Sequence, residues 1–201
     1  MVLEIVFDFS QSLMSSAGYI GLFILMALES MIVPVPSEAV MPFAGYLAYR
    51  GIFSLILAAA VSTLGSIAGS LISYYAGIYF GRAALLRFGR YFLVGEKELA
   101  MTESWFRRWG EKAVLICRFV PVVRHLVSIP AGIGKMNMAK FLTYTFAGAL
   151  IWNSFLLYLG YSLKDGWMLI YAYSKELDLL VGAVLVIGAG WVLLRRRKMK
   201  N

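Results

Sequence analysis

Two acids and two bases stand where a membrane-buried chain has least use for charge. Glu29 and Glu38 bracket Pro34 and Pro36 in "ESMIVPVPSEAV", and Arg118 and Arg124 flank Pro121 in "ICRFVPVVRHLVSIPAGIGKMNM". Apolar sequence continues on both sides of each stretch. A charge at mid-bilayer costs about 2.5–3.5 kcal/mol on insertion scales, so four of them in two segments are not incidental. Guanidinium offers a planar fork suited to phosphate and keeps its charge at depth. A carboxylate beside it neutralises it, or takes up and releases a proton as occupancy changes. Two chemistries follow. In one, Glu–Arg pairs only latch two segments together, and buried pairs are weak stabilisers. In the other, Arg118 and Arg124 receive an anionic lipid phosphate while Glu29 and Glu38 serve ion pairing or proton coupling.

The elements that carry these residues follow from composition. Of 201 residues, 61% are hydrophobic and only 15% charged, with a mean hydropathy of +0.76. That is an integral membrane protein and, at this length, one domain over residues 1–201. The start "MVLEIVFDFS" has no basic region of the kind that opens a signal peptide, so no cleavage is expected. The net charge of +8 lies beside apolar runs: residues 82–112 form a basic connector, and the chain ends in "RRRKMKN". These clusters predict a cytoplasmic face and attraction to anionic headgroups rather than to nucleic acid.

Residues 52–80 and 138–162 are each long and apolar enough to cross a bilayer, and 179–194 forms a shorter C-terminal transmembrane helix before the arginine stop. With the C-terminus cytoplasmic, the stretch 18–50 must begin and end outside unless the N-terminal segment crosses too, and 113–135 must begin and end inside. Prolines break both: Pro34, Pro36 and Pro42 in one, Pro121 and Pro130 in the other. Each reads as a re-entrant helical hairpin, a break tolerated at depth only inside protein or along a wet cavity. The expected fold is therefore an all-α integral membrane protein with an inverted repeat. A hairpin plus span (18–80) is followed by the connector and by a second, inverted hairpin plus span (113–162). Inverted repeats with discontinuous helices near the midplane characterise secondary transporters. Residues 1–16 and 164–178 read as interfacial helices.

Other signals carry less. His125 is the only histidine, and with Trp152 and Asn153 it is an accessory candidate. One histidine cannot build a lipid phosphatase that uses one as nucleophile and another as acid. The lone Cys117 has no second cysteine or histidine cluster with which to bind a metal. The stretch "GKMNMAK" lacks the glycine-rich run of a P-loop. Trp105, Trp109, Trp167 and Trp191 are expected at membrane interfaces. No enzyme, metal or organic cofactor is implied. Whether a proton or sodium ion is coupled, and whether the chain forms a homo-oligomer, stays open.

The ordered motifs Glu29…Pro34-x-Pro36-x-Glu38, "AGYLA" (44–48) and "RFVPVVR…PAG" (118–132) resemble the DedA family of bacterial membrane proteins, also called the VTT-domain family. Gly65, Gly69, Tyr74, Gly77 and Gly81 in the first span agree with it, as do Phe141, Gly148 and Trp152 in the second. Ser70 departs from it, standing where many members have an acid, and Ile78 stands where an arginine often follows the glycine. The resemblance implies a cytoplasmic-membrane transporter or flippase of a lipid phosphate, undecaprenyl phosphate or a phospholipid. It also implies roles for Glu29 with Glu38 as an acidic pair and for Arg118 with Arg124 as an arginine pair. The alternative is a non-transporting membrane organiser that binds lipids or partners through its basic connector.

Overall fold

The computed structural model describes residues 2–31, 37–89, 100, 104, 106–120, 124 and 126–169, with side chains from residue 8 onward and none for 82–89. Pro34, Pro36, Pro121, His125, Trp105 and the helix expected at 179–194 lie outside the described residues, as do residues 90–99 and 101–103 of the connector.

All regular structure among the described residues is helical. Helix α1 runs Val2–Ser30, α2 Ser37–Tyr49 and α3 Leu55–Gly89. Two short pieces follow, α4 at Ala113–Cys117 and α5 at Ser128–Ile133, and then the long α6 at Met138–Leu163. Three segments are long and apolar enough to cross a membrane: Asp8–Ser30, Leu55–Gly81 and Met138–Trp167. The sequence suggests an interfacial helix followed by a hairpin arm, and α1 is indeed divided at that boundary: at Gly18 the backbone leaves helical geometry, with φ 56° and ψ −129°. Glycine tolerates that angle because it has no Cβ. Beyond the bend, residues 19–30 make a helix roughly 18 Å long, short of the roughly 30 Å that a full crossing needs.

Packing relates the two halves. The first helix of each half lies on the span of its own half, α1 on α3 and α4 on α6. The second helix lies on the span of the other half, α2 on α6 and α5 on α3, and the two spans touch each other. Glycines mark the crossings. A Cβ on Gly160 of α6 would collide with the Pro42 backbone of α2, and one on Gly77 of α3 would collide with the Ile129 backbone of α5. Such backbone-to-backbone approach is how helices associate where no hydrophobic effect drives them together. Gly65 and Gly77 are spaced as Gly148 and Gly160 are. The break at Gly81 (φ 64°) also falls as far past Gly77 as the break at Lys164 (φ 52°) falls past Gly160.

Two apolar clusters fill the interior. One joins Leu22, Leu25 and Met26 of α1, Val40 and Met41 of α2, Ala58 of α3 and Leu156 of α6. The other joins Tyr74 of α3, Val114 and Cys117 of α4, Ala131 of α5 and Phe141 of α6. Along both spans the clusters sit at opposite ends, so a middle layer remains between them. Trp167 belongs to the first cluster: it is buried and packed on Phe43 and Tyr46, with ring centroids 5.1 and 6.1 Å away. The expectation that it faces the lipid interface is therefore corrected. Bent back by the turn at Lys164, the chain closes the bundle with it instead. Large apolar side chains such as Ile56, Leu57, Ile72, Tyr79, Ile151 and Tyr158 face outward, as a bilayer solvent requires.

Candidate functional site

The middle layer is polar. Glu29, Glu38, Arg118 and Arg124 are all at least nine-tenths buried there, joined by Ser66, Ser70, Thr145 and Asn153. Glu29 ends α1, and Glu38 sits in the first turn of α2, where a carboxylate is favoured by the positive end of the helix dipole. Arg118 caps the C-terminal end of α4, and Arg124 follows in the link to α5. Acids from one half and bases from the other thus reach a single layer.

The pairing within that layer is unequal. Arg124 takes both acids. Its Nε stands 3.3 Å from Glu29 Oε1, while its Nη2 donates to Glu38 Oε2 at 3.0 Å and stands 2.7 Å from Oε1. The Trp152 ring centroid lies 5.4 Å from the same guanidinium carbon, a cation–π placement. Trp152 is itself fixed by Nε1 donating to Ser37 Oγ at 3.3 Å, which ties α6 to the start of α2. Ser30 Oγ donates to Glu29 Oε2 at 3.1 Å and steadies that carboxylate.

Arg118 has no carboxylate among its described contacts. Its Nη2 donates to Ser70 Oγ of α3 and, at 3.4 Å, to Thr145 Oγ1 of α6. Its Nε is buried with no hydrogen-bond partner among the described residues. Gly148 provides room for the stem, since a Cβ there would lie 2.9 Å from Arg118 Cγ. Beside this, Ser70 Oγ donates to Ser66 O at 2.6 Å, and Asn153 Nδ2 donates to Ser66 Oγ at 3.2 Å. The expected meeting of two acids with two bases is thus met in position but not in pairing.

Of the residues expected at the site, Glu29, Glu38, Arg118, Arg124, Trp152 and Asn153 come together, and Pro130 lies in α5, buried nearby in sequence but outside the ion-pair network. The hydroxyl partners Ser70 and Thr145 were assigned no role from the sequence. A signal was there: Ser62, Ser66, Ser70 and Ser73 recur at helical spacing in an otherwise apolar span, and all four are buried on one face.

Three spanning-length helices, shorter helices packed across a shared layer and a buried ionic site define an all-helical, multi-pass membrane protein. A VTT domain model matches residues 35–162, and the chain belongs to that family. It is 32% identical to undecaprenyl phosphate transporter A of Staphylococcus aureus, over 92% of this chain and 96% of the relative. It is 33% identical to undecaprenyl phosphate transporter A of Bacillus subtilis, over 91% of each. A protein of Lactococcus lactis subsp. cremoris named alkaline phosphatase-like protein is 33% identical, over 94% of this chain and 92% of the relative. No solved structure matches.

Proposed function

We propose that the chain carries an anionic lipid phosphate, of the undecaprenyl phosphate kind, across the bacterial cytoplasmic membrane without chemical change to it. The observation that carries the reading is the buried layer of two arginines and two glutamates midway along α3 and α6, supplied by two hairpins of matched packing. Charge at that depth needs a reason, and an anion binding between two pseudo-equivalent halves provides one. Relatives named as undecaprenyl phosphate transporters support the substrate class. The bend at Gly18 and the shortness of α4 and α5 suit hairpins that enter from opposite faces and end at mid-depth. In this reading residues 82–112 and the tail face the cytoplasm. Glu29 and Glu38 exchange protons as the headgroup arrives and leaves.

Reconstitution tests it. Proteoliposomes with labelled undecaprenyl phosphate should move the headgroup between leaflets, and an imposed pH gradient should change the rate. Glu29→Gln or Glu38→Gln should still bind lipid but lose the gradient dependence; wild-type dependence in both would exclude the acids as coupling sites. Release of inorganic phosphate, as the name of the Lactococcus relative suggests, would make the protein an enzyme and end the transport reading.

A further inference from the structure

We propose that the two arginines divide the work: the phosphate monoester of the lipid seats on Arg118, with the hydroxyls of Ser70 and Thr145 as its further ligands, while Arg124 is a positioning residue. This rests on the transport reading and supplies its headgroup with a seat.

The division starts from unequal surroundings. Arg124 lies between two carboxylates and against an indole, so its charge is compensated without a ligand. Arg118 is as deeply buried, at 6% exposure, but its described hydrogen-bond partners are neutral hydroxyls, and its Nε has none among the described residues. Glu29 acts on Arg118 only as a charge beyond contact, so the buried guanidinium has no touching counter-ion, and an arriving anion supplies one. Guanidinium binds a phosphate with two parallel N–H donors, and the open Nε is one edge of that fork.

The hydroxyls suit both states. Each is at once donor and acceptor, and its hydrogen can swing. With no ligand, Ser70 accepts from Arg118 and donates to Ser66 O, while Thr145 accepts from Arg118 and donates to no described group. When a phosphate lies on the guanidinium, both can turn their O–H toward its oxygens. They come from the two spans, α3 and α6, so the seat bridges the halves. Gly148 leaves the arginine stem free of a side chain on the α6 side. A carboxylate at residue 70 would occupy this seat permanently, which makes Ser70 the residue that keeps it open.

The test is binding by the full-length protein in nanodiscs, using farnesyl phosphate, farnesol and inorganic phosphate as probes. Wild type should bind farnesyl phosphate well above the other two. Ser70→Ala and Thr145→Val, both nearly isosteric, should each weaken farnesyl phosphate binding about tenfold, the usual scale for a hydrogen bond to a charged group. Ser70→Asp should abolish it, with the thermal midpoints of all three variants checking the fold. Unchanged or tighter binding in the alanine and valine variants would overturn the seat. Equal affinity for inorganic phosphate would overturn the lipid headgroup as its occupant. The transport reading fails separately: wild-type proteoliposomes that move no lipid would refute it even if the binding pattern held.

Discussion

The halves of this molecule are alike in packing and opposite in charge. In each, the first helix lies on its own span and the second on the span of the other half, with glycines at corresponding points. Yet the first half brings Glu29 and Glu38 to the middle layer, and the second brings Arg118 and Arg124. Equal packing with unequal charge separates what builds the bundle from what the bundle is for. A repeat that only needed to stack could have kept leucine at all four positions, since lipid and leucine are equally apolar.

The likeness can be broken most severely at the crossings. Gly160→Leu would drive a side chain into the Pro42 backbone, and Gly77→Leu would do the same to Ile129. Overpacking usually costs about 1–3 kcal/mol when side chains can yield, and here the obstacle is backbone on both sides. Each variant should lose the monodisperse folded species in detergent size-exclusion, and equally so. If Gly160→Leu misfolds while Gly77→Leu survives, the two crossings are not equivalent and the repeat is only apparent.

The opposition of charge is the next target. Arg124→Met leaves Glu29 and Glu38 buried without their cation, a change that costs about 3–5 kcal/mol in comparable sites. Adding Glu29→Gln and Glu38→Gln removes the stranded charge, so the triple variant should regain most of the lost thermal midpoint. That recovery would mark the Arg124 group as a latch replaceable by neutral packing. A triple variant as unstable as Arg124→Met would show that hydrogen-bond geometry, not charge balance, holds the hairpins together.

Much of this was legible in the residues themselves. Long apolar runs, the prolines and the four charges identify the spans and the middle layer, because bilayer length and the cost of buried charge leave few alternatives. The boundary at Gly18 was legible too: the polar stretch "SQSLMSSAG" ends there, and so does the first helical piece. The pairing of Arg124 with both acids was invisible, because charge type says which groups attract and not which of two arginines lies within reach. Trp167 misled for a related reason: indoles are enriched at interfaces, but the turn at Lys164 folds this one under Phe43.

The smallest departure from likeness lies in the breaks that end the two crossings. Gly81 has φ 64° and Lys164 has φ 52°, so matching points of the two halves adopt a backbone that suits glycine, and only one has glycine. A side chain held at such an angle costs about 1–3 kcal/mol. Lys164 offsets part of this, because its Nζ lies 5.5 Å from the Tyr49 ring centroid, and an exposed cation–π contact contributes about 0.5–1 kcal/mol. Strain is the larger of the two. Lys164→Gly should therefore raise the thermal midpoint by a few degrees at most, even though it deletes a contact. Gly81→Lys should lower it, by more, since no group among the described residues lies within 4 Å of a side chain's first carbon there. Stabilisation by one exchange and destabilisation by the other would tie both breaks to the same backbone requirement. If Lys164→Gly is destabilising, the Tyr49 contact outweighs the strain, and the second half ends its span by a side-chain device that the first half does without.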